Sequence, residues 1–208
     1  NARAISTSAP SVPVPDFSVE EKISATTAPA SPDSTTMGYL RMSGRVSATE
    51  RDGAVAVVTG QQVGLFGGPA YSIYKALTAV HVARKLTERG VNAVPVFWLA
   101  TEDHDLEEVS HCFVPRRGGF ERFELAAAGA AGRRVGDVRL GEAVRELSRQ
   151  VSAMLDGAWG EEVGRWITES YAPEESFGSS YGKLMARIFA GRGLIFLDPM
   201  STELHRLS

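Results

Sequence analysis

Glu102, Asp103, His104, Asp105, Glu107 and Glu108 crowd into one short stretch, with Ser110 and His111 just beyond it. Three chemistries compete for such a knot. Acidic residues in the first turn of a helix complement its dipole, which accounts well for Glu107 and Glu108. Two histidines among carboxylates suggest metal ligation, but a separation of seven residues between His104 and His111 matches no standard zinc pattern. Carboxylates beside an imidazole can also line a crevice and handle protons, ammonium groups or ribose hydroxyls. The position of Glu102, Asp103, His104 and Asp105 directly after an apolar run favours the third chemistry for those four. His111 reads as an orienting or structural residue.

A second group precedes it. Gly60-Gln61-Gln62-Val63-Gly64-Leu65-Phe66-Gly67-Gly68-Pro69 is glycine-rich, and Tyr71 and Lys75 follow one helical turn apart, so they can share a face. Glycines let a backbone approach a ligand closely, and a following helix N-terminus offers N–H groups to an anion. Pro69 suits an early helical position. The glycine spacing is neither that of a Walker A sequence nor that of a dinucleotide fingerprint, and a turn with structural duties alone explains it about as well. Lys75 could neutralise an anion or stand as a solvated helix lysine.

The elements that must position these groups follow from pattern and length. Ala54 to Thr59 is a valine-rich run of the kind found in buried parallel strands, and Val91 to Leu99 is a second one. Pro95 within the second run suits an edge or a bulge better than a central ladder. Between the runs, Ile73, Ala76, Leu77, Val80 and Ala83 recur at helical spacing, and Gly90 closes the helix where a left-handed cap is expected. Strand, loop, helix and strand imply an α/β fold with a parallel sheet, and ligands of such sheets sit at the carboxyl ends of the strands.

Further along, Phe120 to Leu125 and Val135 to Leu140 read as strands joined by the flexible AAAGAAGRR. Glu142 to Leu155, Glu161 to Ser170 and Tyr181 to Ala190 read as helices, and Gly193 to Leu197 as a third parallel strand. The segment at about 113–175 looks like an α+β insertion between sheet elements, within a core running from 52 to 208. Trp159 and Trp166 suit a core or a partner surface. Asp198, before Pro199, reads first as a turn-forming carboxylate and second as a ligand contact. Residues 1–51 are rich in Ser, Thr, Pro and Ala, which predicts an extended or disordered segment without the apolar core of a signal peptide.

The whole chain has 208 residues, a net charge of −3 and one cysteine. That length suits one or at most two domains. No basic stripe argues for nucleic acid and no apolar run is long enough to span a membrane. The lone Cys112 excludes an internal disulfide framework and fits a reducing cytoplasm. Its apolar neighbours suggest a buried small hydrophobe, and the nearby acids oppose a thiolate.

TGQQVGLFGGPAYSIYK, PVFWLATEDHDLEEVSH and SFGSSYGKLMARIFAGRGLIFLDP, in that order, resemble the bacillithiol biosynthesis cysteine-adding enzymes, the BshC family, over about Gly53 to Leu207. The resemblance implies a Rossmann-like, nucleotidyltransferase-like core and, downstream, an α-helical coiled coil through which a homodimer could form. It implies a ligase acting on small molecules, joining cysteine through its carboxyl to the amine of glucosaminyl-malate, the last step of bacillithiol biosynthesis. Amide formation from a free carboxylate runs uphill in water, so activation is expected. Adenylation by ATP is the natural candidate, although no cofactor is fixed by the residues. In that scheme Gly60, Gln61, Gln62, Gly64, Gly67, Gly68, Tyr71 and Lys75 would bind nucleotide or substrate. Glu102, Asp103 and Asp105 would hold sugar hydroxyls or an ammonium group, and His104 would accept a proton from the attacking amine.

Two departures bear on this. Glu174-Glu175 stands before Ser176-Phe177 where the family often has a glycine, and the chain ends at Ser208 although family members continue much further, so an incomplete piece is expected. A non-catalytic nucleotide- or anion-binding module and a metal-dependent hydrolase using His104, His111 and the acids are the rival functions.

Overall fold

The computed structural model describes residues 54–126 and 132–201. The expectation for residues 1–51 therefore lies outside the described residues.

Three parallel strands form the central sheet: β1 (Val55–Gln62), β2 (Ala93–Ala100) and β5 (Ile195–Leu197), in the order β1-β2-β5. Helix α1 (Tyr71–Glu88) connects β1 to β2 and packs on both. Its buried stripe is Ser72, Ala76, Ala79 and Ala83, four small residues that let the helix lie close to the sheet, while Leu77 faces outward. Gly90 adopts φ +84°, and its N–H donates to Thr87 O, ending the helix as expected. The α/β class and the parallel sheet thus agree with the sequence pattern.

Two strand expectations need correction. β1 is not buried: Val55 and Val58 are 42% and 60% exposed. It is an edge strand, with no partner on its second side among the described residues. β2 is the buried, central strand, and Pro95 lies inside it rather than at an edge or bulge. The Val55 N–H donates to Asn92 O at 2.9 Å. In a parallel ladder this phase turns the backbone groups of Val94 and Val96 toward β1 and those of Pro95 and Phe97 toward β5. β5 pairs only from Val96 onward, opposite Ile195. The missing N–H of Pro95 therefore falls just before that ladder begins.

Between β2 and the last helix the chain builds a separate hairpin, β3 (His111–Arg116) with β4 (Gly119–Glu124), antiparallel. A single helical turn, α2 (Leu106–Val109), precedes β3, and after the hairpin come α3 (Ala143–Met154), α4 (Gly160–Ser170) and α5 (Phe177–Ile188). The helix expected from Tyr181 starts a turn earlier. Ser176 Oγ accepts the Ser179 N–H at 3.2 Å while Ser179 Oγ accepts the Ser176 N–H at 2.9 Å, a reciprocal cap.

Val135 to Leu140 is not a strand. It forms a 3-10 turn at Val135–Asp137 and one isolated bridge, Arg139 to Ser176. Its backbone bonds go to two separate segments: Val135 N–H to Asp103 O (2.7 Å) and Gly136 N–H to Thr101 O (2.8 Å) on one, and Leu140 N–H to Glu175 O (3.0 Å) on the other. Val135, Val138 and Leu140 are buried in the core without a ladder, and a short segment with several apolar residues cannot by itself be told from a strand. Cys112 is half-buried, and desolvation, rather than the nearby acids, pushes its thiol up to about 11.

β1 also runs three residues further than expected, so Gly60, Gln61 and Gln62 belong to the strand end rather than to the loop. Gly60 pairs with Trp98, and a Cβ built there would lie 2.8 Å from both Trp98 Cβ and Trp98 O. The glycine at this position is demanded by strand packing. Gly60→Ala should destabilise the chain by roughly 1–3 kcal/mol through overpacking, read from urea unfolding midpoints at unchanged m-value. An unchanged midpoint would place the need for glycine elsewhere.

Candidate active site

The register Gln61 to Leu99 and Gln62 to Ala100 brings the carboxyl ends of β1 and β2 to one rim of the sheet. The chain leaving β2 turns at Thr101, which is buried. Thr101 Oγ1 donates to Asp198 Oδ1 at 2.5 Å, and the same carboxylate oxygen accepts the Met200 N–H at 3.0 Å. Asp198 therefore acts as the turn-forming carboxylate, tying the end of β5 to the end of β2.

From this anchored turn, Asp103 reaches Gln62. The Gln62 amide donates to Asp103 Oδ2 at 2.7 Å and to Glu108 Oε2 at 2.8 Å, giving one carboxylate to each of its hydrogens. Asp103 Oδ1 accepts the backbone N–H groups of His104 (2.6 Å) and Asp105 (3.1 Å). The Gln62 amide first, then the Asp105 and His104 N–H groups, hold the Asp103 carboxyl below the usual carboxylate range, against the opposing pull of partial burial.

On the other side, Lys75 Nζ donates to Gln61 Oε1 at 2.8 Å and to Gly60 O at 3.2 Å, and stands 5.3 Å from the Tyr71 ring centroid. Gln61 Nε2 donates to Tyr71 Oη at 3.2 Å and lies 3.5 Å from Gln62 Oε1. A polar chain thus runs Lys75, Gln61, Gln62, then Asp103 and Glu108, with a cation at one end and carboxylates at the other. Among the described residues Lys75 has no carboxylate partner.

Glu102, His104 and Asp105 are exposed on the same rim. Asp105 caps α2, its Oδ1 accepting the Glu108 N–H at 3.1 Å, with Glu107 and Glu108 in the first turn. The His104 imidazole has no bond among the described residues, whereas His111 is turned away: its Nδ1 lies 3.0 Å from Glu107 O and its ring meets Phe113 edge-on. Among the described residues no group of three His, Cys, Asp or Glu is placed to hold a metal ion.

The glycine loop is closed on itself. The Gly64 N–H donates to Gln62 O (3.1 Å), the Gly68 N–H to Leu65 O (3.0 Å) and the Gly67 N–H to Tyr171 Oη (3.0 Å). Gly64, Gly67 and Gly68 therefore shape the turn but do not offer these amides outward. The open donors are the N–H groups of Ala70 and Tyr71 at the exposed head of α1, which have no partner among the described residues. Thr101, Glu108 and Tyr171 carry this geometry without having been singled out from sequence for it. Glu108 had a sufficient explanation as a first-turn acid, and Thr101 and Tyr171 lie in no recognisable spacing with their partners.

Residues 36–208 match the family described as "Bacillithiol biosynthesis BshC, N-terminal Rossmann-like domain". The chain belongs to the BshC family. Relatives named "Putative cysteine ligase BshC" include proteins of Koribacter versatilis (46% identical over 159 residues, 76% of this chain and 29% of the relative) and Solibacter usitatus (43% over 164 residues, 75% and 29%). A third, from Bacillus cereus strain Q1, is 30% identical over 165 residues, 78% of this chain and 31% of the relative. The chain spans less than a third of the length of these curated relatives. Among the described residues of this BshC domain no helix is long and apolar enough to cross a membrane.

Gln62→Leu removes the shared donor of Asp103 and Glu108. The Asp103 pKa should then rise toward the ordinary carboxylate range in a carbon-detected NMR titration. The stability that Asp103 contributes is present above its unfolded-state pKa and is lost as pH falls through its lower folded-state value. The variant should therefore lose stability at neutral pH and show a shallower decline on acidification. An Asp103 pKa unchanged by the substitution would deny Gln62 its part.

Proposed function

We propose that this chain is the Rossmann-like part of a ligase that joins L-cysteine, through its carboxyl group, to the amine of glucosaminyl-malate in the last step of bacillithiol biosynthesis. Membership of the BshC family supports the reaction class. The observation that carries the site is the polar chain from Lys75 to Asp103 and Glu108, with opposite charges at its two ends on one sheet rim.

Each end suits a different part of the chemistry. The open N–H groups of Ala70 and Tyr71, the positive end of the 18-residue helix α1 and the cationic Lys75 form a donor set for an anion such as a nucleotide phosphate. ATP held by these donors would supply activation of the cysteine carboxylate, pyrophosphate leaving as the carboxylate is adenylated and AMP leaving as the sugar amine forms the amide. Gly60, Gln61 and Gln62 hold the strand end on which this happens, and Gly64, Gly67 and Gly68 set the turn behind it. At the opposite end Asp103 stays ionised and, with Glu102 and Glu108, receives an ammonium group or sugar hydroxyls. Asp105 caps the following turn and so keeps the Asp103–His104 backbone in place. The exposed His104 imidazole accepts the proton that the amine loses on attack.

The deciding experiment gives cysteine and glucosaminyl-malate, with and without ATP, to this chain and to a full-length enzyme carrying this domain, with thiol labelling and mass spectrometry as readout. We expect bacillithiol from the full-length form, dependent on ATP. A folded full-length form that makes no such thiol, yet binds ATP, would leave a nucleotide-binding module in place of a ligase. In the full-length form His104→Ala should lower turnover by roughly 100- to 10,000-fold. Undiminished turnover would remove His104 from proton transfer.

A further inference from the structure

The loop between β1 and α1 takes an unusual path. Phe66, Gly67 and Gly68 all have positive φ (50°, 96° and 64°), and Phe66 adopts the left-handed region although it carries a side chain. Gly64 and Gly68 meet backbone to backbone: a Cβ on Gly64 would lie 2.8 Å from Gly68 Cα. A turn of this shape persists only if its surroundings determine it.

The determining contact comes from far along the chain. Tyr171, immediately after α4, is 1% exposed. Its hydroxyl donates to Gly64 O at 3.0 Å and accepts the Gly67 N–H at 3.0 Å, so one atom pairs two buried backbone groups on opposite sides of the turn. Its ring meets Phe66 edge-on with centroids 4.9 Å apart, on the residue whose backbone is least comfortable. Burial pushes the Tyr171 pKa far up, so the hydroxyl keeps the proton that it gives to Gly64 O. No other bond within the turn replaces these two: the Gly68 N–H is already committed to Leu65 O and the Gly64 N–H to Gln62 O.

The turn sets two things at once. Its start carries Gln62, which bonds Asp103 and Glu108, and its end carries Ala70 and Tyr71, whose N–H groups are open. Fixing Gly64 against Gly67 fixes the angle at which α1 presents that open end beside the strand rim. We propose that Tyr171 is the positioning residue of the glycine loop: its hydroxyl, by bonding Gly64 and Gly67 together, holds the head of α1 where it can receive an anionic phosphate. This rests on the anion-binding reading of the helix head given above. It also assigns the helical segment between the β3–β4 hairpin and α5 a task at the site, since Tyr171 is its contribution.

The test uses the 208-residue chain labelled with nitrogen-15, unmodified and as Tyr171→Phe, which keeps the ring and deletes only the hydroxyl. Amide exchange is followed by NMR at Gly67 and at β2 residues, and ATP is titrated into both proteins. In the unmodified chain Gly67 should exchange as slowly as buried β2 amides; free exchange there overturns the proposal whether or not the variant folds. In Tyr171→Phe, Gly67 should lose protection while β2 keeps it, and ATP should bind about tenfold more weakly, a displacement of the helix head being enough to do so. ATP affinity unchanged by the substitution overturns the positioning role alone. A protected Gly67 in a chain that takes up no ATP overturns the anion-binding reading and the positioning role with it.

Discussion

The parallel register of β1 and β2 is the constraint on which the rest depends. Because both strands run the same way, with Gln62 opposite Ala100, the chain leaves both at the same rim. A glutamine side chain from one exit can then span to Asp103 at the other, 41 positions later, at 2.7 Å. Side chains alternate along a strand, so a slip by one residue would turn Gln62 to the other face and bring Gln61 in its place. The burial of β2, with Val94, Val96, Phe97 and Leu99 in the core, is what opposes such a slip. The hydrophobic effect thereby specifies the polar geometry.

The polar chain itself separates charges that would otherwise neutralise each other. A lysine in direct contact with Asp103 would spend both charges on one ion pair. Two neutral amides stand between them instead, with contacts of 2.8, 3.5 and 2.7 Å along the way. Each charge is oriented by an amide dipole yet keeps capacity for a ligand, since Lys75 has three donors and a carboxylate has several lone pairs. Oriented dipoles that need no rearrangement when a substrate's charge develops are an effective form of electrostatic stabilisation. Asp103 illustrates the balance. Three N–H donors outweigh its partial burial, so its carboxyl is held low rather than raised.

What could be read from sequence divides along physical lines. Helix α1 was legible because Ile73, Ala76, Leu77, Val80 and Ala83 recur at helical spacing and Gly90 suits a left-handed cap, although the stripe it buries is Ser72, Ala76, Ala79 and Ala83. The parallel strands were legible because short apolar runs flank that helix. Val135 to Leu140 misleads because half of its residues are apolar and buried, as in a short strand, while its backbone groups bond two separate segments, one at Thr101 and Asp103 and one at Glu175 and Phe177. Exposure of β1 was illegible because a valine-rich edge strand has the same composition as a central one. The site was legible as two clusters, the glycine loop and the acidic knot. Their joining by Gln62 depends on register, and the use of the Gly67 amide inside the loop depends on Tyr171, neither of which leaves a local pattern.

Residues with little chemistry of their own hold the site in place, and this explains why glycines sit so far from it. Thr101 fixes the exit of β2, and two distant glycines make room for it: a Cβ on Gly136 would lie 2.7 Å from Thr101 Cβ, and one on Gly178 would lie 2.8 Å from Thr101 Cγ2. Thr101 also bonds Asp198 after β5 and accepts the Gly136 N–H. Three other chain segments therefore converge on one buried threonine two residues before Asp103. Any of them displaced would move Asp103 relative to Gln62, and a hydrogen bond weakens steeply once its length and angle depart from the optimum. The rim can be exposed and polar because the layer directly beneath it is closely packed.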